Sequence, residues 1–143
     1  MAYPQTRFLN EQFEKALILE EPDPSLDTLL RDQGIEPERV PKPDCYDQEA
    51  MVDRLREGQH DLLFKRSKFV VDEAVVQASD NLAAVTLCCI GDDTVDKAAC
   101  AEEGVLVLND PVSNGRSVVE MVIGDMIVLA RRLFTANESG GRH

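Results

Sequence analysis

Five short apolar runs alternate with segments of helical spacing along this chain, and no other feature restricts its fold as strongly. The runs are KALILEE, EPERVPK, DLLFKRS, LAAVTLCCIG and VLVLND. Each is followed by a segment in which apolar residues recur every three or four positions, as on one face of a helix. A strand that returns after a helix runs parallel to its neighbour, through a right-handed crossover. The alternation therefore predicts an α/β fold with a parallel sheet covered by helices on both faces.

Turn-forming residues mark where these helices begin and end. Ser25 is placed to cap the first helix and Gly34 to end it, and Gly58 closes the second. The run EPERVPK is a weak strand, since its prolines cannot donate to a sheet. Five strand and helix units predict a flavodoxin-like, doubly wound sheet of five parallel strands, whose ligands bind at the carboxyl ends of the strands.

Charge and length narrow the range of partners. The chain has 143 residues, enough for one domain with a core, and a formal net charge of -12. Nucleic acid is not an expected partner, because neutralising phosphates requires clustered Lys and Arg. The same acidity disfavours an anionic membrane surface. It suits either a protein adapted to high salt or an ordinary solvated surface.

The chain ends and the cysteines indicate a cytoplasmic protein without a metal centre. The first 15 residues are polar and lack the apolar core of a signal peptide. The apolar part of the last helix is too short to span a bilayer, and it carries Glu120 and Asp125. The four cysteines show no CxxC spacing, and Cys88 and Cys89 lie in an apolar run. We expect them to be buried thiols rather than metal ligands or redox centres.

The loops that follow the predicted strands are the candidate binding loops, and the loop after the third strand is the basic one. It carries Lys65, Arg66, Ser67 and Lys68, whereas Glu20, Glu21 and Asp23 follow the first strand. We expect the acidic loop to be solvated, with Ser25 capping the helix behind it.

The stretch SNGRS, which opens the last helix, is the second candidate for an anion site. Its backbone N–H groups and the positive end of the helix dipole would face a ligand above the sheet. Asn114 adds a side-chain donor and acceptor, while Arg66 and Ser67 add a charged fork and a hydroxyl. A Ser or Asn at this point is more often a plain helix cap than a ligand contact. His60 and His143 both lie away from these loops, so we predict no catalytic base among the 143 residues.

The same loops carry a family resemblance. The segment from Leu62 to Arg132 resembles the substrate-binding half of the D-isomer-specific 2-hydroxyacid dehydrogenases, and within them the 3-phosphoglycerate dehydrogenases. Its markers are the Arg66-Ser67 pair, GDDTVD from Gly91 to Asp96, and NDPVSNGRSVVE from Asn109 to Glu120. The N-terminal units fit the family by pattern only.

The resemblance implies a role for each loop. It places Arg66 and Ser67 beside the substrate, and it implies that the backbone around Cys88, Cys89 and Ile90 binds the substrate carboxylate next to the nicotinamide of NAD. Asn114 would line the same cleft. The substrate-binding set is thus Arg66, Ser67, Cys88, Cys89 and Asn114, with Ile90 on the cofactor side. The implied ligand is a small 2-hydroxy or 2-keto acid, either plain or phosphorylated, such as the 3-phosphoglycerate of serine biosynthesis.

Two departures from the family concern substrate choice. Family members usually have Arg-Ala-Gly where this chain has Leu87, Cys88 and Cys89, and often have Gly at the position of Ser113. The bulkier side chains would narrow the carboxylate site, although the backbone N–H groups that bind the carboxylate are present whatever the side chains.

A domain organisation also follows from the resemblance. Family enzymes continue from the last helix into an NAD-binding Rossmann domain, followed by a catalytic Arg, Glu and His, and GxGxxG does not occur in these 143 residues. We therefore expect residues 1–114 to form the substrate-binding domain and residues 115–143 to be a linker and dimerisation helix of the NAD-binding domain.

Two functional classes are compatible with this organisation. The chain is either the substrate-binding portion of an NAD-dependent oxidoreductase, or a non-catalytic module or interaction subunit that binds a small acid. In both, we expect the chain alone to bind NAD weakly and to lack activity. The helix Ser117–Leu133 is apolar nearly all round, which predicts a homodimer formed through it.

Overall fold

The computed structural model describes residues 13–113 and 115–130. The chain forms two compact units, the first ending at Asp110 and the second beginning at Pro111. The strands are β1 (Lys15–Ile18), β2 (Glu36–Arg39), β3 (Leu62–Lys65), β4 (Ala84–Leu87) and β5 (Leu106–Asn109). The helices are α1 (Ser25–Asp32), α2 (Gln48–Gly58), α3 (Glu73–Val76), α4 (Lys97–Glu103) and α5 (Gly115–Ala130), with a 3-10 turn at Asp44–Tyr46.

The five strands of the first unit form one parallel sheet in the order β2-β1-β3-β4-β5. This order confirms the predicted doubly wound α/β fold, with the third strand at its centre. The proline-containing β2 lies at an edge, where Pro37 has the fewest ladder bonds to interrupt. All five strands end at one edge of the sheet, which gathers the loops that follow them.

Both faces of the sheet are covered over its central strands, as the sequence predicts, whereas Leu106 and Leu108 of the edge strand β5 are exposed. Alternate residues of each strand point to opposite faces, so neighbouring side chains enter different cores. The larger core joins the sheet to α2, α3 and α4 through Leu17, Leu63, Val85, Met51, Leu55, Val75, Val76, Ala99 and Cys100. The smaller core joins it to α1 through Ala16, Ile18, Leu62, Ala84 and Leu30.

Aspartates cap the helices of the first unit. Asp47, Asp72 and Asp96 accept backbone N–H bonds at the starts of α2, α3 and α4. The predicted cap of α1 at Ser25 is wrong, because Ser25 is the first helical residue and its own N–H donates to Asp23 Oδ1 at 2.9 Å. Gly34, with φ 79°, follows α1 as expected.

The cysteines divide into two groups, which corrects the expectation that all four are buried. Cys45 and Cys100 are buried, whereas Cys88 is exposed and Cys89 is half-buried, and all four are free thiols. The physical reason is that β4 ends at Leu87, while the apolar run continues into the loop beyond it.

Helix α5 forms most of the described part of the second unit. Its side chains are mostly exposed, among them Val119, Met121, Ile123, Met126 and Leu129. Over the described residues, no helix is long and apolar enough to cross a membrane.

Candidate functional site

The loops after β1, β3 and β4 meet at the carboxyl edge of the sheet. Strand β3 pairs with β1 on one side and with β4 on the other. The chain that follows each strand therefore lies beside the other two. Arg66, Ser67 and Lys68 are all exposed there, so the basic loop is open to a ligand.

Glu20 joins the first of these loops to the second. Its carboxylate accepts the N–H of Arg66 on Oε2 and the N–H of Lys68 on Oε1, both at 2.7 Å. The residue is only 2% exposed. Its φ of 63° lies in the left-handed region, which a residue with a side chain adopts only when its surroundings require it. The expectation that the acidic loop is simply solvated is wrong for Glu20, its first residue. The buried Glu20 carboxylate holds the basic loop in place.

A pocket opens between the first two loops and the start of the third. Its volume is about 650 Å³, and it is lined by Glu21, Pro22, Asp23, Ser25, Leu26, Leu29, Arg66 and Cys88. It brings together two of the residues singled out in the sequence, Arg66 and Cys88. Hydrogen bonds from the Ser25 side chain and amide lower the pKa of Asp23, so this wall of the pocket is negatively charged at neutral pH.

Arg39 holds the β1–α1 loop, which lines part of the pocket, through its guanidinium. Its guanidinium donates to Asp27 Oδ1 at 2.6 Å and to the carbonyl oxygens of Pro22 and Asp23, both at 3.0 Å. All of its described partners belong to the β1–α1 loop and α1. These hydrogen bonds therefore fix the part of the pocket wall formed by Pro22 and Asp23.

The loop after β4 carries the residues expected to bind the substrate carboxylate. The N–H of Cys88 donates to the carbonyl of Lys65 at 2.7 Å, which extends the sheet ladder by one residue. This amide is hydrogen-bonded within the sheet, and the assignment of the Cys88, Cys89 and Ile90 backbone to a substrate carboxylate stays a prediction. The loop is held further by Asn109 Nδ2, which donates to the Ile90 carbonyl at 2.9 Å.

The Cys88 thiol stays protonated at neutral pH. Although the residue as a whole is exposed, desolvation of its sulfur is the main cause that raises the pKa of Cys88; the neighbouring Cys89 adds to the rise, while Arg66 and Arg39 oppose it. A neutral thiol lining the pocket offers a weak hydrogen-bond donor and no negative charge to repel an anion.

Lys65 is the least expected residue of the site. The sequence placed it in the exposed basic loop, but it ends β3 and its side chain is fully buried. The ammonium Nζ donates to Thr94 Oγ1 in the loop after β4. Burial lowers its pKa, and the nearby Glu20, Cys89 and Asp93 work in the opposite direction. No local sequence signal indicates this burial beyond the alternation of β3, which points position 65 to the same face as Leu63.

The remaining candidates lie elsewhere or outside the described residues. Asn114 is not among the described residues. His60 is buried before the start of β3, with Nε2 2.8 Å from Glu38 Oε2, and so lies away from the loops, as predicted. Among the residues that the structure describes, no cluster of His, Cys, Asp and Glu is suited to a metal ion.

Comparison with known proteins assigns the chain to a family. The family model described as "D-isomer specific 2-hydroxyacid dehydrogenase, catalytic domain" matches residues 16–139. D-3-phosphoglycerate dehydrogenase of Escherichia coli (strain K12) is 39% identical over 98 residues, covering 68% of this chain and 23% of that protein. D-3-phosphoglycerate dehydrogenase 2 of Saccharomyces cerevisiae is 32% identical over 117 residues, covering 82% of this chain and 24% of that protein. The chain thus spans about a quarter of the length of these relatives.

Solved structures share the same fold. A 2-hydroxyacid dehydrogenase from Ketogulonicigenium vulgare Y25 matches with a TM-score of 0.70 and 25% identity, over 92% of this chain and 41% of that one. The NAD+-bound 3-phosphoglycerate dehydrogenase of Entamoeba histolytica matches with a TM-score of 0.62 and 22% identity, over 80% and 39%. With the family model covering most of its length, this chain belongs to the D-isomer specific 2-hydroxyacid dehydrogenases.

Proposed function

We propose that this chain is the substrate-binding portion of an NAD-dependent D-2-hydroxyacid oxidoreductase that acts on D-3-phosphoglycerate. The product would be 3-phosphohydroxypyruvate, which feeds serine biosynthesis. One observation carries the proposal: the exposed Arg66 lines a pocket at the carboxyl edge of the sheet together with Cys88 of the next loop. The named relatives, which are D-3-phosphoglycerate dehydrogenases, favour this substrate.

The basic loop suits a small anionic acid, which would bind on the Arg66 side of the pocket, away from the negative charge of Asp23. A guanidinium binds a carboxylate or phosphate through two parallel N–H bonds. We assign this role to Arg66, with the Ser67 hydroxyl beside it and the amides of Cys89 and Ile90 completing the site. Asn114 belongs to the same proposal through the family resemblance alone. We further propose that Ile90 lies on the nicotinamide side.

The dinucleotide phosphates of NAD do not fit the helix starts of the first unit. A pyrophosphate needs free N–H groups at a helix N-terminus, supplied by a glycine-rich turn. Here carboxylates occupy the starts of four helices: Asp23 at α1, Asp47 at α2, Asp72 at α3 and Asp96 at α4. Their negative charge opposes a phosphate. We therefore propose that these 143 residues do not bind NAD tightly, and we assign no step of hydride transfer to them.

The acid-binding loops are also compatible with a second candidate function. A chain that keeps the acid-binding loops without a place for the dinucleotide would serve as a non-catalytic binding module or interaction subunit. The two candidates share the acid site, which is the proposed site for the small anionic acid at Arg66, Ser67 and the amides of Cys89 and Ile90. They differ in whether hydride transfer takes place in the intact protein.

Nuclear magnetic resonance titration with 3-phosphoglycerate tests the acid site. Amide shifts should centre on Arg66, Ser67 and Cys89, and Arg66→Gln should weaken binding about tenfold or more, since a charge-assisted pair is lost. Arg56→Gln is the matched control, because it removes an exposed, ion-paired arginine from α2. Shifts confined to residues around His60, or equal effects of the two variants, would overturn the proposal.

Oxidation assays separate the two candidate functions. NADH formation from 3-phosphoglycerate by the intact protein supports the dehydrogenase. Acid binding without NADH formation supports the binding module.

A further inference from the structure

Lys65 places a buried positive charge where the fold calls for an apolar side chain. Strand β3 alternates between the two cores, and Leu63 and Lys65 point to the same, larger core. Lysine is almost never fully buried without a partner, because its ammonium loses its hydration. At 0% exposure, Lys65 requires a physical explanation.

The contacts of Lys65 lead to the loop after β4. Its Nζ donates to Thr94 Oγ1, and the carbonyl of Thr94 accepts the N–H of Val71 at 2.9 Å. Val71 also pairs with Val95 in an isolated parallel bridge. The ammonium thus reaches the point where the loop Gly91–Asp96 is attached to the chain that follows the basic loop.

The charges around Lys65 lead to the basic loop itself. Glu20, Cys89 and Asp93 are the groups whose charge favours the ammonium, against the cost of burial. Of these, Glu20 is buried and holds the amides of Arg66 and Lys68. Lys65 is therefore linked to both loops. It donates a hydrogen bond to Thr94 in the loop Gly91–Asp96, and its charge balances the Glu20 carboxylate that holds the basic loop.

We propose that Lys65 is a positioning residue, whose buried ammonium holds the loops Arg66–Lys68 and Gly91–Asp96 in fixed positions relative to each other, next to the acid site. The proposal rests on the proposed function of this edge as an acid site. Lys65 itself does not line the pocket. A methionine fills a similar volume, but it neither donates to Thr94 nor balances Glu20, so the loops lose their common support without loss of the core.

Amide hydrogen exchange in the full chain, without ligand, tests the positioning directly. In Lys65→Met, exchange within residues 66–68 and 91–96 should rise about tenfold, because these segments open more often, while the strands keep their protection. Lys15→Met is the matched control, since it removes a lysine that also makes one Nζ hydrogen bond, to the Gly58 carbonyl, far from these loops. Unchanged loop exchange in Lys65→Met would overturn the proposal.

Variants of Thr94 keep the test decisive if Lys65→Met fails to fold. Thr94→Val removes the hydroxyl with little change of shape and should raise hydrogen exchange in the loops. Thr94→Ser keeps a hydroxyl that accepts from Lys65, so its loop exchange should equal that of the wild type. Equal exchange in the two variants would contradict the proposed link.

A pH titration distinguishes positioning by charge from simple packing. The amide shifts of Arg66 and Thr94 should titrate with a common midpoint below the ordinary lysine value of 10.5. The titration should persist in Cys89→Ala, which removes the neighbouring thiol, and vanish in Lys65→Met. A titration that persists in Lys65→Met would overturn the role of the charge.

The affinity for 3-phosphoglycerate separates this proposal from the proposed function. Binding should weaken in Lys65→Met and Thr94→Val, and stay unchanged in Lys15→Met. If the wild-type chain does not bind 3-phosphoglycerate, the proposed function fails, while the exchange measurements still decide whether Lys65 supports the loops.

Discussion

At the scale of single residues, the carboxyl edge of the sheet is held together by charged groups that are removed from water. Glu20 accepts two amide bonds at 2.7 Å, and Lys65 donates to Thr94 from a fully buried position. Each of these contacts joins parts of the chain that are far apart in sequence. The loops that carry Arg66 and Cys88 therefore depend on side chains that do not themselves face the pocket.

Substitution of Glu20 should reveal its structural role. In Glu20→Gln, an amide NH2 group replaces one carboxylate oxygen, so either Arg66 or Lys68 loses the acceptor for its backbone N–H. A buried donor without a partner costs about 1–3 kcal/mol, and urea unfolding should show a loss of this size. Glu21→Gln is the control, because Glu21 is exposed and its change should stay within about 0.5 kcal/mol. Equal losses in the two variants would contradict the role assigned to Glu20.

The pKa of Lys65 predicts how stability changes with pH. Burial lowers this pKa in the folded chain below the ordinary value of 10.5, so between the two values the unfolded chain binds the proton more strongly. Stability rises with pH wherever the unfolded state binds more protons. The free energy of unfolding of the wild type, relative to Lys65→Met, should therefore increase as the pH approaches 10.5. A relative stability that is constant or falls over this range would refute the prediction.

At the scale of elements, helix capping explains why the GDDTVD segment ends in an aspartate. Asp96 accepts the N–H groups of Ala98 and Ala99, both at 3.0 Å, and so begins α4. Its own N–H donates to the Val71 carbonyl at 2.8 Å. The last residue of this segment thus orders a helix and fixes the loop that precedes it.

Removal of this cap should destabilise the protein measurably. Asp96→Ala should lower the free energy of unfolding by about 1 kcal/mol, because two N–H groups lose their acceptor. Glu102→Ala, on the exposed side of the same helix, is the matched control. Thermal unfolding of the two variants should differ, and a larger effect at Glu102 would count against the cap.

The strand ends decide which residues become available to a ligand. Sequence patterns give the strands correctly, but the apolar run of β4 extends past its last residue, Leu87, into Cys88 and Cys89. Local hydrophobicity does not distinguish a buried strand from the loop that continues it. The exposure of Cys88 follows from the length of the neighbouring strand, since Leu87 pairs with Lys65, the last residue of β3.

At the scale of the whole molecule, α5 raises the question of assembly. We propose that residues 1–114 form a substrate-binding domain and that residues 115–143 act as a linker and dimerisation helix. The support is the run of exposed apolar side chains along α5, including Val118, Val122 and Ile123. Apolar surface removed from water contributes roughly 25 cal/mol per Å², and a two-fold dimer closes with one self-complementary patch.

Sedimentation tests this assembly. The wild type should be a dimer at micromolar concentration, whereas Ile123→Glu, which places a charge among the apolar side chains, should shift it towards monomer. Glu120→Gln is the control, since it lies on the same helix and removes a charge instead. A wild-type monomer at this concentration would refute the proposed interface.

The sequence by itself determined the architecture and the edge of the sheet where the site lies. Short-range patterns carry this information, since the alternation of strand-like runs with helical spacing dictates a parallel sheet, and turn residues such as Gly34 and Gly58 mark its connections. Parallel strands that are each followed by a helix must place their loops at one edge. Arg66 could be selected from sequence for this reason.

Only the tertiary structure decided which charged residues at that edge face water. Glu20 and Lys65 look like loop residues in the sequence, where an isolated carboxylate or ammonium is expected to be solvated. Their burial depends on partners supplied by distant parts of the chain, the amides of Arg66 and Lys68 for Glu20 and the hydroxyl of Thr94 for Lys65. A buried charge is tolerated only where such partners converge, and their convergence is a property of the folded chain.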